Sequence, residues 1–179
     1  MNELDILKDI SVKLNKAGIN FMLSGSLAMS YYAQPRMTRD IDIVIELIPL
    51  SVSKFCDLFQ EEYLVSVEAI KEALDRQTMF NIIHNEAIVK VDFIIRKNTR
   101  YRVNEFARRK KVKIGEFDTY IVSLEDLIIS KLSWLKDSDS ELQKRDVKNL
   151  LKCRYDREYI NFWTKELALH KTFEEVAGE

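Results

Sequence analysis

One stretch, from Leu23 to Glu46, constrains the fold of this chain more than any other. It reads LSGSLAMSYYAQPRMTRDIDIVIE; thirteen residues separate Ser26 from Asp40, and Asp42 follows two positions later. Residues two apart on a β-strand share a face, so the two aspartates should lie side by side while Ile41, Ile43 and Ile45 turn into a core. Two like charges on a rigid strand need a counter-ion. A hard divalent cation such as Mg²⁺, bound by carboxylates and phosphate oxygens, suits them.

Composition limits the classes of protein to consider. With 179 residues and 46% hydrophobic content, the chain can bury a core as one domain, or as one domain with a small helical appendage. The two cysteines, Cys56 and Cys153, lie far apart and favour neither a zinc site nor a disulfide framework. The opening MNELDILKDI is acidic and amphipathic, unlike a signal peptide, and we find no apolar run of about 18 residues. We therefore expect a cytoplasmic protein without a membrane partner.

The net charge of -1 means that any contact with nucleic acid must come from a local patch. One stretch, opposed only by Glu105, qualifies: Arg96, Lys97, Arg100, Arg102, Arg108, Arg109, Lys110, Lys111 and Lys113. Such a cluster is typical of an RNA-binding surface or of an ordinary solvated face, and the sequence leaves both interpretations open.

The hydrophobic periodicity changes several times and predicts a mixed α/β fold. Before the aspartate strand we expect a helix over residues 2–17 closed by Gly18, a strand over 20–23 and a brief helix over 27–33. After that strand, which runs to about Leu47, we expect helical structure in one or two pieces from Pro49 to Leu74. Strands should follow over 78–84 and 87–96, then a short helix over 102–109, strands over 111–114 and 117–122, and a helical tail from Ser123. The predicted organisation is a core over residues 1–122 with a helical segment over 123–179 packed on it.

A third acid belongs to the second strand of the predicted hairpin. The sequence AIVKVDFII puts Lys90 and Asp92 on the face opposite Val91 and Phe93, so Asp92 can face the same edge as Asp40 and Asp42. Three carboxylates on neighbouring strands could hold two metal ions for an in-line phosphoryl transfer. The Gly25-Ser26 turn fits this chemistry, because glycine allows close backbone approach and a helix N-terminus binds a triphosphate tail.

Each of these residues also has a purely structural explanation. Asp40 and Asp42 could keep a strand end solvated, and Asp92 could lie on an exposed face. Ser26 could be only a helix N-cap. The sequence alone does not decide between these explanations and a site.

Two charged residues in the tail interrupt apolar helix faces. Lys131 falls within the stripe formed by Leu124, Leu127, Ile128, Leu132 and Leu135, and Asp146 lies within the arc of Leu142, Val147 and Leu150. A charge in such a place needs a partner, which could be a carboxylate or a phosphate. A salt bridge joining the two helices is the structural alternative, and both roles can hold together.

The Gly-Ser turn, the spacing to DxD and the later aspartate resemble the nucleotidyltransferase fold of the DNA polymerase beta superfamily. The segments PRMTRDIDIVI, SLEDLIISKL and KRDVKNLL resemble the bacterial AbiEii-like branch, which includes toxins of toxin-antitoxin pairs. The resemblance covers residues from about 18 to 152. It implies an α/β nucleotidyltransferase fold, with a short mixed sheet flanked by helices and a C-terminal helical tail.

The resemblance also implies a site. Asp40 and Asp42 would bind two Mg²⁺ or Mn²⁺ ions, and Asp92 would bind one ion and help to deprotonate the attacking hydroxyl. Gly25 and Ser26 would hold the nucleotide phosphates. Lys131 would grip the triphosphate, and Asp146 would orient it or the acceptor.

The predicted function is transfer of a nucleoside monophosphate from a nucleoside triphosphate (NTP) to a hydroxyl, with release of pyrophosphate. We favour tRNA or another RNA as the acceptor, and a cognate antitoxin as a further partner, from the basic stretch and the toxin-like resemblance. One alternative is a catalytically silent module that binds nucleotide or a partner. Another is a small-molecule adenylyltransferase of the aminoglycoside type, although so short a chain leaves little room for a drug pocket.

Overall fold

The computed structural model describes residues 2–35, 38, 40–138 and 140–178. Outside these ranges lie Arg36, Met37 and Arg39, which belong to the motif before the aspartates, together with Met1, Asp139 and Glu179. None of the described helices is long and apolar enough to cross a membrane.

Helices and strands are interspersed in the described chain as far as β7, and the last four elements are helices. The helices are α1 (Glu3–Ala17), α2 (Gly25–Tyr32), α3 (Val52–Phe59), α4 (Val67–Arg76), α5 (Arg100–Ala107), α6 (Leu124–Ser138), α7 (Glu141–Leu150), α8 (Arg157–Glu166) and α9 (His170–Ala177). The strands are β1 (Phe21–Leu23), β2 (Asp40–Ile45), β3 (Tyr63–Leu64), β4 (Met79–His84), β5 (Lys90–Ile95), β6 (Lys110–Ile114) and β7 (Phe117–Ile121). A 3₁₀ turn at Pro49–Ser51 precedes α3.

The strands form one mixed sheet in the order β3-β4-β5-β2-β1-β7-β6. β2 lies at its centre, parallel to β5 on one side and antiparallel to β1 on the other. The hairpin of β4 and β5 extends the sheet from β5, as predicted. The mixed α/β fold with a helical tail is therefore confirmed.

One strand was missed by the sequence analysis. Between Pro49 and Leu74 the pattern predicted only helix, but β3 separates α3 from α4 and pairs with β4 in the register Tyr63 to His84. The Tyr63 ring packs edge-on against the rings of Phe59 and His84. Two residues are too few for alternation to reveal a strand, so tertiary packing decides this element.

One face of the central strand is buried in the core. Ile41, Ile43 and Ile45 are fully buried, as the alternation predicted. Phe93 of β5 stacks on Phe80 with ring centroids 5.2 Å apart. This packing fixes the orientation of β2 and β5, and hence which way their polar residues point.

A buried polar network around Asp126 joins two helices of the C-terminal tail to each other and to Arg108. Asp126 of α6 is fully buried and accepts hydrogen bonds from Ser123 Oγ (2.6 Å), Tyr159 OH (2.7 Å) and Arg108 Nε (3.1 Å). The network links α6 to α8 and to the residue after α5. The division into a core over 1–122 and a segment over 123–179 stays a prediction.

Candidate active site

The turn at the start of α2 is built directly against Asp42. The Ser24 amide donates to the Asp42 carbonyl oxygen at 2.8 Å, which ties the helix start to β2. Gly25 has a positive φ of 61°, and a Cβ added there would lie 1.9 Å from Asp42 Oδ2. Only glycine fits this contact, because any side chain would meet the carboxylate and pay the cost of the left-handed conformation as well.

Ser26 is the second residue of α2 and is almost completely buried. The N-cap position belongs to Ser24, whose side chain makes no capping hydrogen bond. The interpretation of Ser26 as an N-cap is therefore wrong. Its role towards phosphate stays a prediction.

The sheet brings the three acids to neighbouring positions. In the parallel pairing of β2 with β5, Asp42 is the register partner of Asp92 and Asp40 is that of Lys90. Asp92 is 5% exposed, whereas the side chain of Asp40 at the strand start is 54% exposed. The cluster therefore has a buried end at Asp92 and an open end at Asp40.

Lys90 lies between two of these carboxylates. Its Nζ is 2.8 Å from Asp92 Oδ2 and 3.9 Å from Asp40 Oδ1. The hydrogen bond to Asp92 raises the pKa of Lys90, with further help from the charges of Asp92, Asp40 and Asp42. The sequence analysis placed Lys90 on this face but gave it no role.

Asp42 occupies the least favourable electrostatic position. Burial raises the pKa of its carboxyl group, and the negative charges of Asp92 and Asp40 raise it further. The positive charges of Lys131 and Lys90 oppose this rise. A carboxylate under such repulsion is a strong candidate for binding a cation or a proton.

Lys131 and Asp146 form a buried ion pair between α6 and α7. Lys131 Nζ lies 2.8 Å from Asp146 Oδ2 and 3.3 Å from Gln143 Oε1, and both members of the pair are almost inaccessible to water. The structural alternative is thus present in the fold. The positive charge of Lys131 also opposes the rise in the pKa of Asp42, so the pair and the acids interact electrostatically.

Asp146 also borders a cavity of about 270 Å³. Its other lining residues come from α2, the segment after it, and α7: Met29, Gln34, Pro35, Arg145 and Asn149. The pair and the cavity therefore adjoin the helix that begins at Gly25.

Several side chains of the basic stretch make contacts within the protein. Five of these residues form ion pairs with carboxylates: Arg96 with Glu46, Arg100 with Glu166, Arg102 with Glu105, Arg108 with Glu125 and Asp126, and Lys111 with Asp118. Arg109 lies over the rings of Phe106 and Tyr120 and donates to the Phe106 carbonyl. These contacts reduce the positive field that the sequence suggested, and an RNA surface here stays a prediction.

The donor set suits a hard divalent cation, although the side chains do not converge as a finished metal site. Among the described residues, no group of three or more His, Cys, Asp or Glu side chains is arranged to hold a metal ion. However, Asp92 Oδ1 is buried and has no hydrogen-bond partner in the described part of the chain. Its other oxygen already binds the ammonium group of Lys90. Carboxylate oxygens of this kind are the ligands that Mg²⁺ prefers, so the residues fit such an ion.

Comparison with known proteins gives the identity of the fold. The chain matches no protein-family model and no curated protein. An antigenic nucleotidyltransferase-like protein from Paracoccidioides brasiliensis is similar in structure, with a TM-score of 0.59, 17% identity, and coverage of 84% of this chain and 76% of that one. The antibiotic-resistance factor ANT(2'')-Ia gives a TM-score of 0.62 at 8% identity and covers 98% of this chain and 93% of its own.

A third similar structure is the lincosamide antibiotic adenylyltransferase LnuA, solved with lincomycin bound. Its TM-score is 0.55 at 12% identity, and the match covers 84% of this chain and 96% of that one. The predicted likeness to nucleotidyltransferases is confirmed at the level of the fold, while the AbiEii-like branch stays a prediction. The chain therefore has the fold of these nucleotidyltransferase-like proteins.

Proposed function

We propose that this chain is a metal-dependent nucleotidyltransferase, which moves a nucleoside monophosphate from an NTP to a hydroxyl acceptor and releases pyrophosphate. The observation that carries the proposal is the pairing of Asp42 with Asp92 on adjacent parallel strands, directly against the glycine that begins α2. An anion-binding helix start and paired carboxylates thus lie at one place. Phosphoryl transfer needs both features, one for the phosphates and one for their counter-ions.

Each side chain has a distinct task in this reaction. The amides at the start of α2, with Ser26, bind the phosphates of the nucleotide. Asp40, Asp42 and Asp92 hold Mg²⁺ or Mn²⁺, which would supply charge stabilisation for the attacking and leaving oxygens. Asp92 accepts the proton of the attacking hydroxyl. Lys131 binds the triphosphate and Asp146 keeps the ammonium group of Lys131 in position, since the two form a hydrogen bond at 2.8 Å.

Two acceptors follow from different observations. An antibiotic-like alcohol is supported by the fold of ANT(2'')-Ia, which matches this chain over 98% of its length and so removes the objection that the chain is too short. An RNA end, in a toxin with a cognate antitoxin, is supported by the basic stretch and the AbiEii-like resemblance. Because internal ion pairs engage much of that stretch, the small-molecule acceptor is the better supported of the two.

A labelling experiment separates these acceptors from each other and from a silent module. The purified protein is incubated with Mg²⁺ or Mn²⁺ and each NTP, labelled either at the α-phosphate or at the γ-phosphate. Total RNA, an aminoglycoside and a lincosamide are offered in parallel.

We expect the α-label to appear on one acceptor and the γ-label in pyrophosphate, and we expect Asp42→Asn to abolish both. Transfer of the γ-label to an acceptor would show a kinase instead. Nucleotide binding without transfer to any acceptor would support the silent module.

A further inference from the structure

Among the residues that the structure describes, Lys90 contacts the acid cluster and has no role in the proposed function. It is neither a metal ligand nor a residue of the phosphate-binding turn. Its ammonium group nevertheless lies within 2.8 Å of Asp92 and 3.9 Å of Asp40, two of the three carboxylates assigned to the metal. Lys90 thus makes ionic contacts with oxygens that a divalent cation would need.

The position of Lys90 is fixed by the register of the sheet. Lys90 and Asp92 are two residues apart on β5 and share a face, and Lys90 is paired laterally with Asp40 of β2. Its backbone cannot leave this place without breaking the parallel ladder. The side chain, however, is 40% exposed, so the ammonium group can move into water while the strand stays in place.

The second carboxylate oxygen of Asp92 indicates that the cluster would accept a further cation. Oδ1 is buried without a hydrogen-bond partner in the described ranges, while Oδ2 binds Lys90. A buried carboxylate with one unpaired oxygen is costly, and one ammonium group satisfies it only in part. A cation of higher charge would satisfy both oxygens better.

We propose that Lys90 is an internal counter-ion of the carboxylate cluster, which holds Asp92 and Asp40 together before metal binds and which a divalent cation must displace. This inference rests on the proposed metal site. Lys90 is therefore a positioning residue that sets the metal affinity. Its ammonium group competes with the metal ion for the carboxylate oxygens, and this competition lowers the affinity for the metal. With no metal present, the charge of Lys90 reduces the repulsion among the carboxylates.

The test is a titration of Mn²⁺ against nucleotide-free protein, followed by calorimetry or by the electron paramagnetic resonance signal of free Mn²⁺. Lys90→Met keeps the length of the side chain and removes its charge, and Lys90→Arg keeps the charge. The control is Lys111→Met, which removes a lysine paired with Asp118 at 2.9 Å. Lys111 lies on β6, four strands from β5 and so about 19 Å away at about 4.8 Å per strand.

We expect Lys90→Met to bind Mn²⁺ at least about tenfold more tightly than the native protein, because a unit positive charge beside the ligands has gone. Without metal its melting temperature should be lower than that of Lys111→Met, and saturating Mn²⁺ should raise it more than it raises the native one. Lys90→Arg should bind Mn²⁺ as weakly as the native protein.

Equal or weaker Mn²⁺ affinity in Lys90→Met would overturn the inference. If Asp42→Asn still abolishes binding in that case, the proposed metal site stands and only the role of Lys90 fails. If no variant binds Mn²⁺, the metal site and the inference fail together. Binding by Lys90→Met alone would support the inference in its strongest form.

Discussion

The buried pair of Lys131 and Asp146 offers a sharp test, because the sequence left two roles open for it. The observed ion pair, with Lys131 Nζ and Asp146 Oδ2 2.8 Å apart, is compatible both with a structural salt bridge and with a lysine that binds the triphosphate. They differ in what happens when both charges are removed together. The variants needed are Lys131→Met, Asp146→Leu and the double substitution.

The single substitution Lys131→Met leaves a fully buried aspartate without the lysine that neutralises it. Removing one partner of a buried pair costs about 3–5 kcal/mol of the free energy of unfolding. For a domain of this size each kcal/mol lowers the melting temperature by about 2–4 °C, so we expect a loss of about 6–20 °C. The double variant should recover most of this loss, because two apolar side chains of similar volume replace the pair without desolvated charge.

Urea unfolding followed by circular dichroism measures the stability, and calorimetric titration with a non-hydrolysable NTP measures binding. If Lys131 contacts the triphosphate, the stable double variant should bind about 10–100-fold more weakly, the usual worth of a hydrogen bond to a charged group. The matched control is Lys136→Met on the same helix, whose exposed ammonium group donates to the Ala168 carbonyl. It should change neither quantity by much.

Two results would refute this reasoning. A loss of stability below about 1 kcal/mol for Lys131→Met would mean that Lys131 is not the partner that neutralises Asp146. Native nucleotide affinity in the double variant would mean that Lys131 only joins α6 to α7.

Three further outcomes are expected. Gly25→Ala should lose Mn²⁺ binding and more stability than Gly18→Ala, because Gly18 has a similar positive φ but open space where a Cβ would lie. Calorimetry and thermal melting compare the two variants, and equal losses would contradict the contact with Asp42. Folding raises the pKa of the Asp42 carboxyl group above its ordinary value of 3.8, so this group binds its proton more tightly in the folded state. The free energy of unfolding should therefore fall as the pH rises from 3.8 through the higher pKa of the folded state. Asp42→Asn should therefore raise the free energy of unfolding at pH 7 in EDTA, with a gain that shrinks towards the acid side, and a loss at pH 7 would contradict the sign. Arg108→Gln should lower the free energy of unfolding in urea by about 1–3 kcal/mol, because the buried carboxylate of Asp126 loses its arginine partner although it keeps the hydrogen bonds from Ser123 and Tyr159. Lys113→Gln should cost little, and equal costs would mean that Arg108 behaves as an ordinary surface residue.

The faces of the strands could be predicted from the sequence because they are a local property. Alternation alone places Asp40 and Asp42 together, and Lys90 with Asp92, and the buried isoleucines confirm it. The helices with clear start and end signals were predictable for the same reason, as α1 shows with its Asn2 capping box and its C-terminal Gly18.

What the sequence could not give were contacts between distant segments. Nothing local indicates that Gly25 packs on the carboxylate of Asp42, or that Lys90 bridges to Asp40 across a strand pairing. The network around Asp126 is of the same kind, because its partner Tyr159 lies on another helix. On a helical wheel Asp126 lies opposite the apolar stripe that contains Lys131, so the pattern of α6 did not mark it as a buried residue.

The central claim is that Asp40, Asp42 and Asp92 together bind a divalent cation at the start of α2. A crystal structure with Mn²⁺ and a non-hydrolysable NTP, with anomalous scattering recorded for the metal, tests it most directly. We expect an anomalous peak in direct contact with carboxylate oxygens of Asp42 and Asp92, with the Lys90 ammonium group displaced. A peak elsewhere, with nucleotide bound away from Gly25, would contradict the claim.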